Sequence, residues 1–211
     1  MQTFILNRNR LTTTKALYEW LWYEGGLHPM IIDIASTYKP LLSWYATHDV
    51  NVYFVHENIG PHGFWAKGLR ARLAGDRPYI LTDSDVYPAD YCPSDIIVAM
   101  EETLKAHPEC VCVGPSLRID NLPSNELTTR VIQWERRFWE HEVEDGCGYW
   151  AEIDTTFAIH RSDPVCRLDR SIRLGYPYHF EHRPWYVTEL DAEERYYRSH
   201  VDPSYTWWSK E

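Results

Sequence analysis

Pro78-Tyr79-Ile80-Leu81-Thr82-Asp83-Ser84-Asp85 is the stretch on which the reading of this chain turns. The apolar run has the composition of a buried strand, and it ends abruptly in two carboxylates. Pro88 punctuates the turn three residues further on. Two acids at i and i+2 on the tip of a parallel strand can meet at one hard cation. Such a cation keeps positions open for water or phosphate oxygens. The carboxyl ends of strands in an open α/β sheet are also where ligands bind.

Upstream, strand-like and helix-like segments alternate. Thr3 to Leu6 reads as a strand, followed by Asn7-Arg8-Asn9-Arg10. Thr12 to Thr14 offer caps for a helix that carries Leu17, Trp20 and Leu21 on one face and stops at Gly25-Gly26. Met30 to Ile34 is a second strand, ending near Asp33. Ser36 is placed to cap a helix with Pro40 in its first turn and Leu41, Leu42, Trp44 and Tyr45 packing inward. Asn51 to Val55 is a third strand, and the loop Glu57 to Gly63 leads to a helix at about Phe64 to Leu73. Crossovers of this size predict a parallel sheet.

Downstream, Ser94 caps a helix through His107, Glu109 to Gly114 is a strand, and Val131 to Glu142 is a helix. The βα rhythm is then lost. Tyr149 to Ile153 and Thr156 to Ile159 read as strands, and the last forty residues as turn-rich and aromatic. No repeat or linker divides the 211 residues, so one α/β domain is expected.

Net charge is −10, which argues against a nucleic-acid partner but not against a nucleotide held through a cation. Cys92, Cys110, Cys112, Cys147 and Cys166 are odd in number and include no C-x-x-C, which favours a reducing compartment over a disulfide framework or a structural zinc. Cys110 and Cys112, alternating with valines, are expected on one strand face. No segment has the length or apolarity of a membrane span or signal peptide, so a soluble, cytoplasmic protein is expected. Ten Trp and fifteen Tyr fill a core and also offer flat faces for rings or sugars.

The strand tips supply Asn7, Arg8, Asp33, Asn58, Gly60, Asp83 and Asp85. No G-x-G-x-x-G or G-x-x-x-x-G-K-[ST] is present to cradle phosphates, so a metal at Asp83 and Asp85 would have to clamp them. Asp33 can accept from a base or ribose, or close an Asx-turn.

In this order the tips resemble the nucleotide-sugar glycosyltransferases of the GT-A fold, family-2-like over residues 3 to 115. Phe4 to Arg10 looks like the opening strand and base-side loop. Ile31-Ile32-Asp33-Ile34-Ala35-Ser36-Thr37 is similar to the segment whose Asp contacts the base. Asn58-Ile59-Gly60 resembles the Asn-x-Gly loop, and Asp83-Ser84-Asp85 the metal-binding Asp-x-Asp. The resemblance implies a single GT-A-like domain with a Rossmann-like, mostly parallel sheet flanked by helices. Residues 1–115 would bind the nucleotide sugar, and an irregular half, 116–211, would face the acceptor. It further implies transfer from a UDP-, GDP- or dTDP-sugar, UDP preferred, to a glycan or glycoconjugate, with Mn²⁺ or Mg²⁺ bridging the diphosphate. The chain could be one domain of a larger glycan-synthesis protein.

A late metal ligand, often His, is also implied. His182 is favoured, with Arg183 beside it to reach a phosphate; His179 and His200 are alternatives. Asp154, in a polar break between two strand-like runs, could be the base of an inverting transfer, hold donor hydroxyls, or only form a turn; Glu152 is the alternate. The rival readings are a nucleotidyltransferase, another Mg²⁺-dependent phosphate enzyme, and a non-catalytic nucleotide-sugar-binding module. A nucleotidyltransferase usually carries a Gly-rich loop after its first strand, where this chain has Asn-Arg-Asn-Arg. Neither G-x-S-x-G nor H-E-x-x-H occurs.

Overall fold

The computed structural model describes residues 1–162, 170–202 and 204. In chain order the strands are β1 (Gln2–Asn7), β2 (Pro29–Ile34), β3 (Val52–Val55), β4 (Tyr79–Asp83), β5 (Val86–Pro88), β6 (Cys112–Leu117), β7 (Gly148–Trp150), β8 (Phe157–His160) and β9 (Ser171–His182). The helices are α1 (Thr12–Tyr23), α2 (Lys39–Thr47), α3 (Gly63–Ala66), α4 (Leu69–Leu73), α5 (Ile96–Ala106), α6 (Glu126–Glu135) and α7 (Ala192–His200). The strands build one mixed sheet, ordered β3-β2-β1-β4-β8-β6-β9-β5, with β7 also on β9. β3, β2, β1 and β4 run parallel, and β8 enters antiparallel between β4 and β6. The fold is therefore α/β with a helix-flanked sheet.

The chain leaves β1 for β2 and β3 on one side and returns to β4 on the other, so strand order reverses at β1. Loops part at such a reversal and leave a crevice beyond the carboxyl ends of the strands. Register puts Asn7 level with Asp33, and Leu6 level with Asp83, at that edge.

Alternating side chains divide the core between the two faces of the sheet. Ile5, Ile31 and Ile80 join Leu17 and Leu21 of α1, Leu41 of α2 and Met100 of α5. Phe4, Leu6, Ile32, Tyr79 and Leu81 pack with Phe64 of α3 and Leu69 of α4. His160 is buried beside the second layer, stacked on Tyr79 at 5.1 Å, and burial alone lowers its pKa to about 3. It is neutral in the fold and takes a proton near pH 6.5 when unfolded. Its stabilising contribution is thus full above that value and is lost as pH falls toward 3, by about 1.4 kcal/mol per pH unit. Urea denaturation at pH 7 and pH 5 should show wild type losing about 2 kcal/mol more than His160→Phe; equal losses would refute the assignment.

Several boundaries differ from the sequence reading, each for a local reason. The threonines do not cap α1. The carboxylate of Glu193, in α7, accepts from the N–H groups of Leu11 at 2.9 Å and Thr12 at 3.1 Å and from the Thr12 hydroxyl at 2.9 Å. Removing this long-range cap in Glu193→Ala should cost about 1–2 kcal/mol in denaturant titration; an unchanged midpoint would show that the cap contributes nothing. Ser36 does not cap α2 either. It accepts from the Asn9 N–H at 2.9 Å, while the Asn9 side-chain oxygen accepts from Thr37 and Tyr38 at 2.7 and 3.0 Å. The helix expected over Phe64 to Leu73 is split at Gly68, whose φ of 72° is left-handed. α5 starts at Ile96 without a cap from Ser94.

α6 begins earlier than expected, at an Asn125–Thr128 capping box, and tightens into a 3₁₀ turn at Arg136–Trp139. β9, a twelve-residue strand, occupies part of the stretch read as turns. Its pairing with β6 jumps from Leu174 to His179, so Gly175 and Pro177 lie in an irregularity inside a strand. Cys110 and Cys112 occupy different clusters, because β6 starts only at Cys112. Cys92, Cys110, Cys112 and Cys147 are free thiols; Cys166 lies outside the described residues. No described helix is long and apolar enough to cross a membrane.

Candidate functional site

A cavity of about 850 Å³ occupies the crevice at the ends of β1 and β4. Asn7, Arg8, Arg10, Asn58, Gly60, Asp83, Asp85, Glu152, Asp154 and His182 all line it. Segments from opposite ends of the chain meet here because β8 and β9 return its second half to the sheet.

Asp83 terminates β4. The loop before β8 is pinned to it: the Thr156 carbonyl accepts from the Thr82 hydroxyl at 2.6 Å, and the Thr155 hydroxyl donates to Asp83 Oδ2 at 2.8 Å. Burial, then the charges of Asp85 and Asp154, hold the Asp83 carboxyl well above the usual carboxylate range. Asp154 belongs to the same loop, and its Oδ1 accepts from the Thr156 N–H at 3.0 Å. Its other oxygen takes no hydrogen bond from the described residues.

β5 pairs antiparallel with β9, Val86 facing His182, and this register brings His182 to the acidic pair. Its Nε2 lies 3.6 Å from Asp85 Oδ1. Nδ1 is buried without a hydrogen-bond partner among the described residues. Burial lowers the His182 pKa against the opposing pull of Asp85 and Asp154, so the imidazole stays neutral with a lone pair to offer. Ligand bonds of about 2.1 Å put two donors on one cation within about 4.2 Å of each other, so Asp85 and His182 can share one. Asp83, Asp85 and His182 do not all close to within 4.8 Å, and the set is an open one. An open set and three crowded carboxylates fit a cation that completes its shell with ligand oxygens.

The other expected residues divide. The Arg8 guanidinium donates to the Ile34 carbonyl at 3.2 Å. Asn7 donates to Arg10 O and to the Tyr45 hydroxyl, at 2.9 and 2.8 Å. Asn58 accepts from the Gly60 N–H at 3.2 Å, closing a turn in which Gly60 has φ 65°. Asp33 is buried off the cavity wall, accepting from the Ser36 N–H at 3.0 Å and the Tyr45 hydroxyl at 3.1 Å. It has the Asx-turn role.

Arg183 is separated from the cavity. It pairs with Glu181 at 3.1 Å, over the Tyr87 ring, in a groove with Thr12 and Ala16. β9 ends at His182, and Arg183 opens a 3₁₀ turn that carries its side chain to Glu181 and Tyr87, away from the site. His179 bonds Tyr91 at 2.7 Å and His200 stacks on Tyr196 at 4.0 Å, both off the wall. Glu152 is half-exposed, 3.8 Å from Arg137.

Two buried ion pairs on the wall are new to the structure. Arg10 meets Glu194 of α7 and lies 3.6 Å over the ring of Tyr197, whose hydroxyl is pushed up to about 12 by burial and Asp85. Arg173 of β9 holds Glu135 of α6 at 2.8 Å and donates through Nε to the Glu152 carbonyl at 2.8 Å. Only Arg10, in the polar run after β1, carried a signal in the sequence.

No family model matches the chain, and no curated protein does. Among solved structures it is similar to glucosyl-3-phosphoglycerate synthase from Mycobacterium tuberculosis, at 14% identity and TM-score 0.46, over 76% of this chain and 56% of that one. It is also similar to mannose-1-phosphate geranyltransferase from Thermus thermophilus, at 11% identity and TM-score 0.39, over 75% and 55%. The chain thus spans little more than half the length of either.

Proposed function

We propose that this chain is a metal-dependent transferase that moves a sugar from a nucleoside-diphosphate sugar, UDP-linked by preference, to a glycan or glycoconjugate hydroxyl. The observation that carries this is the meeting of Asp83, Asp85, Asp154 and His182 in one cavity at the point where strand order reverses. Asp85 and His182 would hold the cation, and Asp83 beside them would meet it through water or bind the ribose. Mn²⁺ suits an imidazole-containing set better than Mg²⁺. When bound, the cation offsets charge on the departing diphosphate.

Asn7, Arg8 and the Asn58–Gly60 turn border the nucleotide. Asp154 takes the proton of the acceptor hydroxyl as its oxygen bonds the anomeric carbon and the bond to diphosphate breaks. Arg173 and Glu135 fix the wall beside it. Trp134, exposed on the same wall, offers a ring face for a sugar. Free thiols suit a reducing, cytoplasmic setting.

Isothermal titration with UDP, GDP and dTDP, with and without Mn²⁺, tests the reading, together with a donor-sugar screen. Mn²⁺-dependent binding of one diphosphate and turnover of its sugar conjugate are expected. His182→Ala should raise the Mn²⁺ activation constant about tenfold or more. Binding with no turnover would make the chain a binding module. Pyrophosphate release from a nucleoside triphosphate and a sugar phosphate would make it a nucleotidyltransferase. No binding and no turnover of any donor would end the proposal.

A further inference from the structure

Away from the cavity, three unlike donors converge where α5 ends. His107 closes that helix, its N–H donating to Thr103 O at 3.1 Å while its own carbonyl accepts from Arg161 at 3.1 Å. A second backbone segment brings Asp145 and Cys147. Its turn is closed by the Gly146 N–H to Val143 O at 2.8 Å, by Gly146 at φ 75°, and by the Cys147 N–H to Asp145 Oδ1 at 3.0 Å. Asp145 Oδ2 lies 3.1 Å and Cys147 Sγ 3.9 Å from His107 Nε2, and all three donor atoms fall within 4.8 Å. They are the only such group of His, Cys, Asp and Glu among the described residues. None of the three lines the cavity.

We propose that His107, Asp145 and Cys147 form a second metal site, selective for Zn²⁺, with water in the fourth position. Tetrahedral Zn²⁺ with its usual bond lengths sets N, O and S donors about 3.3–3.7 Å apart, within about half an ångström of the two spacings to Nε2. The far ring nitrogen, Nδ1, lies 3.5 Å from Glu109 Oε1. A carboxylate there fixes the tautomer that leaves Nε2 to the metal and strengthens it as a ligand. A thiolate–imidazole–carboxylate set favours Zn²⁺ over the harder Mn²⁺ and Mg²⁺, so this site and the acidic cavity would sort different ions.

A nucleophilic Cys–His pair is the rival use of these residues, and the geometry disfavours it. Asp145 Oδ2, at 3.1 Å, stands nearer to Nε2 than Cys147 Sγ, whose 3.9 Å is long for a nucleophile and its base. On binding Zn²⁺ the thiol gives its proton to solvent as the metal–sulfur bond forms. The ion would tie the end of α5 to the turn that leads into β7, and β7 pairs with the part of β9 carrying Arg173.

The test is titration of the metal-stripped, reduced full chain with Co²⁺ followed by Zn²⁺. A thiolate-to-cobalt charge-transfer absorption should saturate at one equivalent and be displaced by Zn²⁺. It should survive in Asp83→Asn/Asp85→Asn, vanish in Cys147→Ser, and need about tenfold more Co²⁺ in Glu109→Gln. No such absorption in wild type, or one undiminished in Cys147→Ser, would overturn the site. Should Cys147→Ser misfold, Asp145→Ala on its exposed turn supplies the decision: a loss of affinity of about tenfold or more supports the site, and unchanged affinity overturns it.

Discussion

Asp85→Asn should slow Mn²⁺-dependent sugar transfer at least about a hundredfold, about 2.7 kcal/mol of transition-state stabilisation. The substitution keeps shape and removes charge from the carboxylate that lies 3.6 Å from His182. Asp85 is chosen over Asp83 because Asp83 is bonded by Thr155 and repelled by two neighbouring acids. Burial and those neighbours hold its carboxyl well above the usual carboxylate range, which makes Asp85 the readier cation ligand. Rates across a manganese titration distinguish two outcomes. A loss that high Mn²⁺ partly restores is expected. Wild-type rates, or activity in the parent that survives EDTA, would remove the cation from Asp85.

Arg173→Ala should cost about 3–5 kcal/mol of stability, because it leaves the Glu135 carboxylate buried without its partner. Both side chains of the pair are only 5% exposed. Burial already raises the Glu135 pKa despite Arg173, which shows how heavily this acid depends on the guanidinium. In a chain of this length the loss corresponds to a melting temperature lower by roughly 6–20 °C. The double variant Arg173→Met/Glu135→Leu should recover much of it, since no charge is then left unpaired. A single variant that melts with wild type would show that solvent reaches Glu135.

The parallel half of the fold was legible because β1, β2 and β4 carry consecutive apolar residues, as strands buried on both faces do, and because Asp83 closes the last of these runs. The meeting of a late histidine with the acidic pair was partly legible: three histidines were candidates, and the β5–β9 register puts His182 rather than His179 or His200 beside Asp85. What stayed hidden depends on partners distant in sequence. Asp33 looked open because Tyr45, which fills its second oxygen, lies twelve positions on in another element. Arg183 looked like a phosphate ligand because the 3₁₀ turn that carries it to Glu181 follows β9 with no sequence signal tying it to that partner. β9 was missed because Gly175 and Pro177 normally end a strand, and here they sit in a mismatch of register within one. The acid that caps α1 and the acid that pairs Arg10 belong to a helix that shows no periodicity linking it to either.

Those two acids, Glu193 and Glu194, have a consequence for the order in which the molecule assembles. The corner at Asn7–Thr12 has two of its stabilising contacts far along the chain, 182 residues on, from Leu11 to Glu193, and 184 residues on, from Arg10 to Glu194. Contacts of such separation must overcome the entropy of closing a very long loop, and they form late unless intervening structure shortens the path. The sheet provides that shortening, since β1, β4, β8 and β9 must already be stacked before α7 has a surface to settle on. Until α7 settles, this corner of the cavity is an unfinished edge, with its arginine solvated rather than buried. The cavity wall is completed late, and only molecules that have built the whole sheet present it.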